Sequence, residues 1–189
     1  MNKKQLKRIL LNRTETEYYI QKIVLSICRE FNKKFEDIAL IGIQHKGFYL
    51  AEKIAELIKS KTKISVPTGS IDISMYRDDI GTRRSISKIY ETNIPFDVEG
   101  KAIILVDDVL HTGRTIRAAL DAITDYGRPA LIRLAILIDR GGREFPIAAD
   151  YVGKIKKISK NMKVTVNFSS DNKKPIVYLH QNKIKSGVA

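Results

Sequence analysis

Three short runs carry most of the fold information: "IALIGI" at 38–43, "AIILV" at 102–106 and "LIRLAILI" at 131–138. Each is almost wholly apolar and shows no polar alternation. That is the pattern of strands covered on both faces, which a parallel sheet between helical layers requires. Helical periods fill the gaps between them. Ile20, Ile23, Val24, Ile27 and Phe31 share one face of a helix expected over 14–31, with Thr14 and Glu17 as its capping box. "FYLAEKIAELIKS" (48–60) and "TIRAALDAITDYG" (115–127) read as two more helices, the second stopped by Gly127 with Pro129 beyond it. Strands alternating with helices imply an α/β fold with a mostly parallel central sheet flanked on both sides by helices.

The weaker segments fit around this frame. Ile71, Ile73 and Met75 alternate in "SIDISMY", which predicts a strand with one wetter face. Residues 77–97 lose all periodicity and gain charge, so they read as a long flexible loop of functional type. Shorter strands are expected at 164–168 and 176–180. No repeat or linker interrupts the chain, so residues 1–189 are read as a single domain.

Ligands of such sheets bind beyond the carboxyl ends of the strands. Three glycine-rich, charged loops fall there: "QHKG" (44–47), "DDVLHTGRT" (107–115) and "DRGGRE" (139–144). The second enters a helix near Thr115, where free N–H groups and the helix dipole suit a phosphate. Gly113 permits close backbone approach, and Thr112 and Thr115 add hydroxyl donors. Asp107 and Asp108 stand just before this pocket and would repel a bare phosphate. They become useful if the ligand also presents hydroxyl groups, which an ionised acid binds strongly. A sugar phosphate meets both conditions. The pattern is neither a Walker loop nor a dinucleotide fingerprint.

Charge agrees with an anionic ligand. Thirty-four basic residues against 21 acidic ones give a net charge of +13, which suits phosphorylated small molecules, nucleic acid or an acidic surface. The single cysteine, Cys28, excludes an internal disulfide and a cysteine-based metal cluster. No segment reaches the roughly 20 apolar residues of a membrane span, so a soluble, cytoplasmic protein with no membrane partner is expected.

"ILVDDVLHTGRT" resembles the phosphoribosyl-pyrophosphate (PRPP) motif of type I phosphoribosyltransferases. "GIQHKGFYLA", "IDISMYRDD" and "DAITDYGRPALIRLAILIDRGGREFPIAADYVGK" resemble, in order, the PyrR family. The resemblance spans roughly residues 35–168. Members of that family are uracil phosphoribosyltransferases, and many bind pyrimidine-operon messenger RNA as attenuators. The resemblance implies the type I fold, with a small hood subdomain at about 140–170 over the base and a flexible loop at about 77–97 acting as a lid. It implies that Val109, Leu110, His111, Thr112, Gly113, Arg114 and Thr115 cradle the 5′-phosphate, with His111 a loop filler, and that Asp107 and Asp108 hold the ribose hydroxyls. His45, Lys46 and Gly47 would form the pyrophosphate loop, with a cis peptide that by position joins His45 to Lys46. Arg77 would close over the same diphosphate, and Mg²⁺ would ride mainly on PRPP itself. Arg77, Lys46 and Asp108 would then serve catalysis, and Arg140, Tyr151 and Val152 would contact the base. A homodimer or larger homo-oligomer is implied as well.

Two departures from the family pattern stand out. Where the family has a histidine in "DRG-H-RELP", this chain has Gly142. Where the family reads "GKNIPTS", this chain has "GKIKKIS", with Lys156 and Lys157 near the base site. The first helix offers Tyr18, Tyr19, Gln21, Lys22 and Ser26 but none of the histidines that help RNA-binding members. The expected function is transfer of phosphoribose from PRPP to uracil, giving UMP and pyrophosphate for pyrimidine salvage, with room for a pyrimidine-operon regulatory role and with weak or non-specific RNA binding. The alternatives are an RNA-binding attenuator with little catalysis and a transferase for a purine base.

Overall fold

The computed structural model describes residues 7–32, 35–78, 91–168 and 175–181. Five strands form one parallel sheet: β2 (Ile38–Ile43), β3 (Thr68–Ile71), β4 (Ala102–Leu110), β5 (Leu131–Asp139) and β6 (Tyr151–Ile155), in the order β3-β2-β4-β5-β6. Helices α1 (Arg13–Phe31) and α2 (Lys46–Thr62) cover one face, and α3 (Arg114–Ile123) covers the other. The continuous apolar runs explain both layers. Ile38 and Leu40 of β2 and Ile104 and Val106 of β4 join Ile20, Ile27, Ile54 and Ile58 in one core. Their neighbours Ala39, Ile41, Ile103 and Leu105 join Ile116, Ala119 and Ile123 in the other.

A second sheet is antiparallel. It pairs β1 (Lys7–Leu11) with β8 (Ile176–Gln181) and β8 with β7 (Met162–Asn167). Val164, Val166, Val177 and Leu179 turn its apolar face into the α1/α2 core. This second sheet is therefore assembled from segments far apart in the sequence, 7–11, 162–167 and 176–181. Tyr151–Ile155 belongs to the main sheet as its edge strand.

Several expected boundaries move, each for a visible reason. The capping box of α1 uses Asn12 and Glu15 instead of Thr14 and Glu17: the Glu15 N–H donates to the Asn12 side chain at 2.9 Å and the Asn12 N–H to the Glu15 carboxylate at 2.8 Å. Strand β3 stops at Ile71, because the Asp72 carboxylate accepts from both the N–H and the hydroxyl of Ser74 and turns the chain into a short 3-10 turn. Met75 consequently lies 72% exposed instead of alternating inward. The third helix ends at Ile123 and a 3-10 turn carries the chain to Gly127.

The long loop is only partly described, and residues 79–90, the middle of the expected lid, lie outside the described residues. Its returning end is tied down. Asn93 bridges Ser70 of β3, the Asp72 N–H donates to the Thr92 hydroxyl at 3.0 Å, and Ile94 and Phe96 pack on the α3-side core. Among the described residues, no helix is long and apolar enough to cross a membrane.

Candidate active site at the carboxyl rim of the sheet

All five strands run the same way, so Ile43, Ile71, Leu110, Asp139 and Ile155 end on one rim. From β2 the chain goes first outward to β3 and then back past β2 to β4. The strand order therefore reverses between β2 and β4, and a crevice opens there. The two loops bordering it are residues 44–47 and 111–113.

The first loop presses against β4. A side chain at Gly47 would put its Cβ 2.4 Å from the Val106 carbonyl oxygen and 3.3 Å from the Asp107 Cα. Only glycine allows this approach. The cis peptide of the loop joins Gln44 to His45, one residue before the expected position. Gln44 itself escaped notice in the sequence. Its side-chain amide donates to the Ser70 hydroxyl at 3.2 Å and to the Glu91 carbonyl at 3.0 Å, which links this loop to the returning end of the long one.

Strand β4 does not stop at Val106 but runs through Asp107 and Asp108 to Leu110, paired with β5. Val106 and Val109 both pack on the α1/α2-side core while Leu105 and Leu110 pack on the other, so strict alternation breaks across Asp107 and Asp108 and leaves the two carboxylates close enough to interact. Asp108 meets the Lys46 ammonium at 3.6 Å. Asp107, only 8% exposed, accepts the N–H of Asp108 at 2.8 Å. Burial, reinforced by the neighbouring Asp108 charge, raises the Asp107 carboxyl well above the ordinary aspartate range. Burial raises Asp108 as well, and Lys46 opposes it.

The loop after β4 has its carbonyl groups fixed on one side. The Leu110 carbonyl accepts from the Arg140 N–H at 3.0 Å, the His111 carbonyl from Arg143 Nη1 at 2.9 Å, and the Thr112 carbonyl from the N–H groups of Glu144 and Phe145 at 2.8 and 3.0 Å. In a planar trans peptide the N–H points opposite to the preceding C=O. The N–H groups of His111, Thr112 and Gly113 therefore face away from residues 140–145. Gly113 follows with a left-handed φ of +93° as the N-cap of α3 and has no side chain to cap it, while the Thr112 hydroxyl accepts the Arg114 N–H at 3.4 Å. Three loop donors and the open helix start make an anion cradle.

The side chains around the cradle have distinct positions. The Arg77 Nη1 lies 3.4 Å from the Thr115 hydroxyl. Arg114 points outward, pairing with Glu144 at 2.7 Å and with Asp78, and lying over the Phe145 ring. The His111 ring packs beside Gly142. Burial, then the positive charge of Arg140, lowers its pKa below that of ordinary histidine. Among the described residues, no group of three or more histidine, cysteine, aspartate or glutamate side chains could hold a metal.

The expected base contacts divide. Arg140 is near the rim but only 5% exposed; its Nη2 donates to the Ser159 carbonyl at 3.1 Å, and its Nε has no acceptor. Tyr151 and Val152 are not at the rim. They open β6 beside Ala135 and Ile136, the opposite end from Asp139 and Ile155. Tyr151 is 3% exposed, and its hydroxyl donates to Glu30 at 2.7 Å, so it fastens β6 to α1. What lies at the rim instead is the segment after β6. It is held to the end of β5 by Lys156 N–H to Asp139 at 2.8 Å and Ile158 N–H to Arg140 at 3.1 Å.

The sequence and fold comparisons agree with this architecture. A profile of the phosphoribosyl transferase domain matches residues 10–173. The chain is 52% identical over 135 residues to the bifunctional protein PyrR of Roseiflexus sp., covering 71% of this chain and 74% of that one. It is 49% identical over 157 residues to the bifunctional protein PyrR of Listeria monocytogenes, covering 81% and 86%. Among solved structures, the hypoxanthine phosphoribosyltransferase of Trypanosoma cruzi superposes with a TM-score of 0.66 at 18% identity, covering 93% of this chain and 97% of that one. A hypoxanthine-guanine phosphoribosyltransferase of Bacillus anthracis gives 0.62 at 22%, covering 80% and 85%. Likeness at such low identity speaks for the fold alone, whereas the identity to the PyrR proteins extends along most of both sequences. The chain belongs to the PyrR family of phosphoribosyltransferases.

Proposed function

We propose that this protein transfers phosphoribose from PRPP to uracil, giving UMP and pyrophosphate. The observation that carries the reading is the cradle: the carbonyls of residues 110–112 are all tied to one side, beside the buried Asp107 and the half-buried Asp108. The N–H groups of 111–113 and the start of α3 receive the 5′-phosphate. Asp107 and Asp108 accept the ribose hydroxyls, and the 44–47 loop with Lys46 and Arg77 receives the diphosphate. Lys46 leaves Asp108 when that more highly charged partner arrives.

The bond from ribose C1 to the diphosphate oxygen breaks while a bond from C1 to a uracil nitrogen forms. The N–H proton of the base passes to diphosphate or water. No protein nucleophile is needed. Catalysis rests on holding the reactants in line and on stabilising charge on the departing group. Two carboxylates cannot supply the near-octahedral oxygen shell that Mg²⁺ demands, so the donor set fits an ion that arrives on PRPP. When bound, that ion would neutralise charge on the departing diphosphate.

For the base, Lys157 replaces Tyr151 and Val152 as the candidate. Its neighbours Lys156 and Ile158 direct their N–H groups to β5, so the Lys157 backbone is the part of the segment left to read the edge of a base. A homodimer or larger assembly remains the family expectation. RNA contact, in our reading, is non-specific: the charge of +13 attracts phosphate whatever the RNA sequence. Pyrophosphate release from PRPP with uracil, hypoxanthine, guanine, xanthine or adenine tests the assignment. Uracil alone should support turnover, and turnover with a purine instead would replace this reading.

A further inference from the structure

The middle carbonyl of the cradle is held by a side chain. Leu110 and Thr112 accept backbone N–H groups, but among the described residues the His111 carbonyl accepts only from Arg143. Arg143 is itself fully engaged. Its Nη2 pairs with Asp139 at 2.5 Å, and its Nε donates to the Ile147 carbonyl at 2.9 Å. Gly142, at a φ of +81°, makes room beside it: a Cβ there would meet the His111 ring at 2.9 and 3.0 Å.

We propose that Arg143 is a positioning residue for the 5′-phosphate, and that Gly142 lets the His111 peptide take the orientation Arg143 requires. This rests on the cradle reading above. The His111 carbonyl and the Thr112 N–H belong to one planar unit and point in opposite directions. Fixing the first aims the second. Without Arg143 that peptide has no other tether and is free to rotate. The peptides on either side stay pinned by backbone bonds, so the defect is confined to one donor of the cradle. The diphosphate loop lies on the other side of the crevice and does not depend on it.

The test is titration of ribose 5-phosphate and, separately, of magnesium pyrophosphate into the wild-type protein and into Arg143→Met, Arg143→Lys and Gly142→Ala. Loss of one oriented donor to a charged group should weaken ribose 5-phosphate binding about tenfold in Arg143→Met and Gly142→Ala. Pyrophosphate binding should not change. Arg143→Lys should recover part of the loss, because an ammonium can still bridge the His111 carbonyl and Asp139. Adding His111→Ala to Gly142→Ala should also recover part, because the clash is with that ring. Should Arg143→Met fail to fold, Gly142→Ala with and without His111→Ala decides the matter. Equal ribose 5-phosphate affinity in all variants, or parallel loss of both ligands, overturns the proposal. If the wild-type protein itself binds no ribose 5-phosphate, the cradle reading falls and takes this inference with it.

Discussion

Gly47→Ala should disable the site out of proportion to its size. The new Cβ would stand 2.4 Å from the Val106 carbonyl oxygen, where ordinary contact begins at 3.4 Å, so something must retreat by 1 Å. Strand β4 cannot yield easily, because it is hydrogen-bonded to β2 on one side and β5 on the other. The loop at 44–47 must move, and it carries Lys46 away from Asp108 and from the place assigned to the diphosphate. Overpacking of this kind costs about 1–3 kcal/mol of stability. Displacing a positioning element by ~1 Å can cost about 100-fold in rate. Steady-state kinetics with PRPP, beside thermal melts of the same preparations, reads both quantities. We expect kcat/KM to fall by about two orders of magnitude in protein that still melts cooperatively. Wild-type kcat/KM would show that the loop's approach to β4 is packing alone, and the diphosphate assignment would lose its geometric basis.

Asp107→Asn and Asp108→Asn should each weaken PRPP use by about 1.5–3 kcal/mol, measured as kcat/KM, because an amide offers the ribose no charge-assisted acceptor. The raised Asp107 carboxyl holds its proton more tightly in the folded state than in the unfolded chain. It therefore makes wild-type stability fall as pH rises from the ordinary value of 3.8 through the raised one, and Asp107→Asn should flatten that slope in pH-dependent denaturant melts. Tyr151→Phe should cost about 1 kcal/mol of stability by releasing Glu30, with the KM for uracil unchanged; a raised KM would return Tyr151 to the base site. RNA binding should be lost by moderate salt and should not distinguish a pyrimidine-operon leader hairpin from a scrambled one. A preference for the leader that survives physiological salt would make regulation the primary function.

What could be read from the sequence follows the range of the forces involved. Ile38–Ile43 and Leu131–Asp139 announced themselves because burial on both faces demands unbroken apolar runs. Strand β6 stayed hidden because Gly153 and Lys154 interrupt its pattern. Yet a Cβ at Gly153 would meet the Leu137 carbonyl oxygen at 2.6 Å, so the residue that blurs the signal is the one that permits the strand to lie where it does. Two strands of the second sheet, Met162–Asn167 and Ile176–Gln181, lie where the expected runs at 164–168 and 176–180 put them, and only its first strand was hidden, for another reason. Lys7–Leu11 is a strand only because Ile176–Gln181 pairs with it, and nothing local encodes a partner at the far end of the chain.

The site divides along the same line. Glycines, hydroxyls and acids at strand ends were legible because turns and ligands need those residue types nearby in sequence. Arg143 was not, since an arginine in a glycine-rich loop reads as a solvated charge until its three acceptors are located in space. Gly142 and His111 show what linear reading costs. Taken one at a time, the glycine is a lost family histidine and the histidine is filler. In the fold they touch, the ring occupying the space that a side chain at 142 would take. With glycine at 142, the carbonyls of residues 110–112 are still all held by residues 140–145, so the proposed phosphate site keeps its geometry.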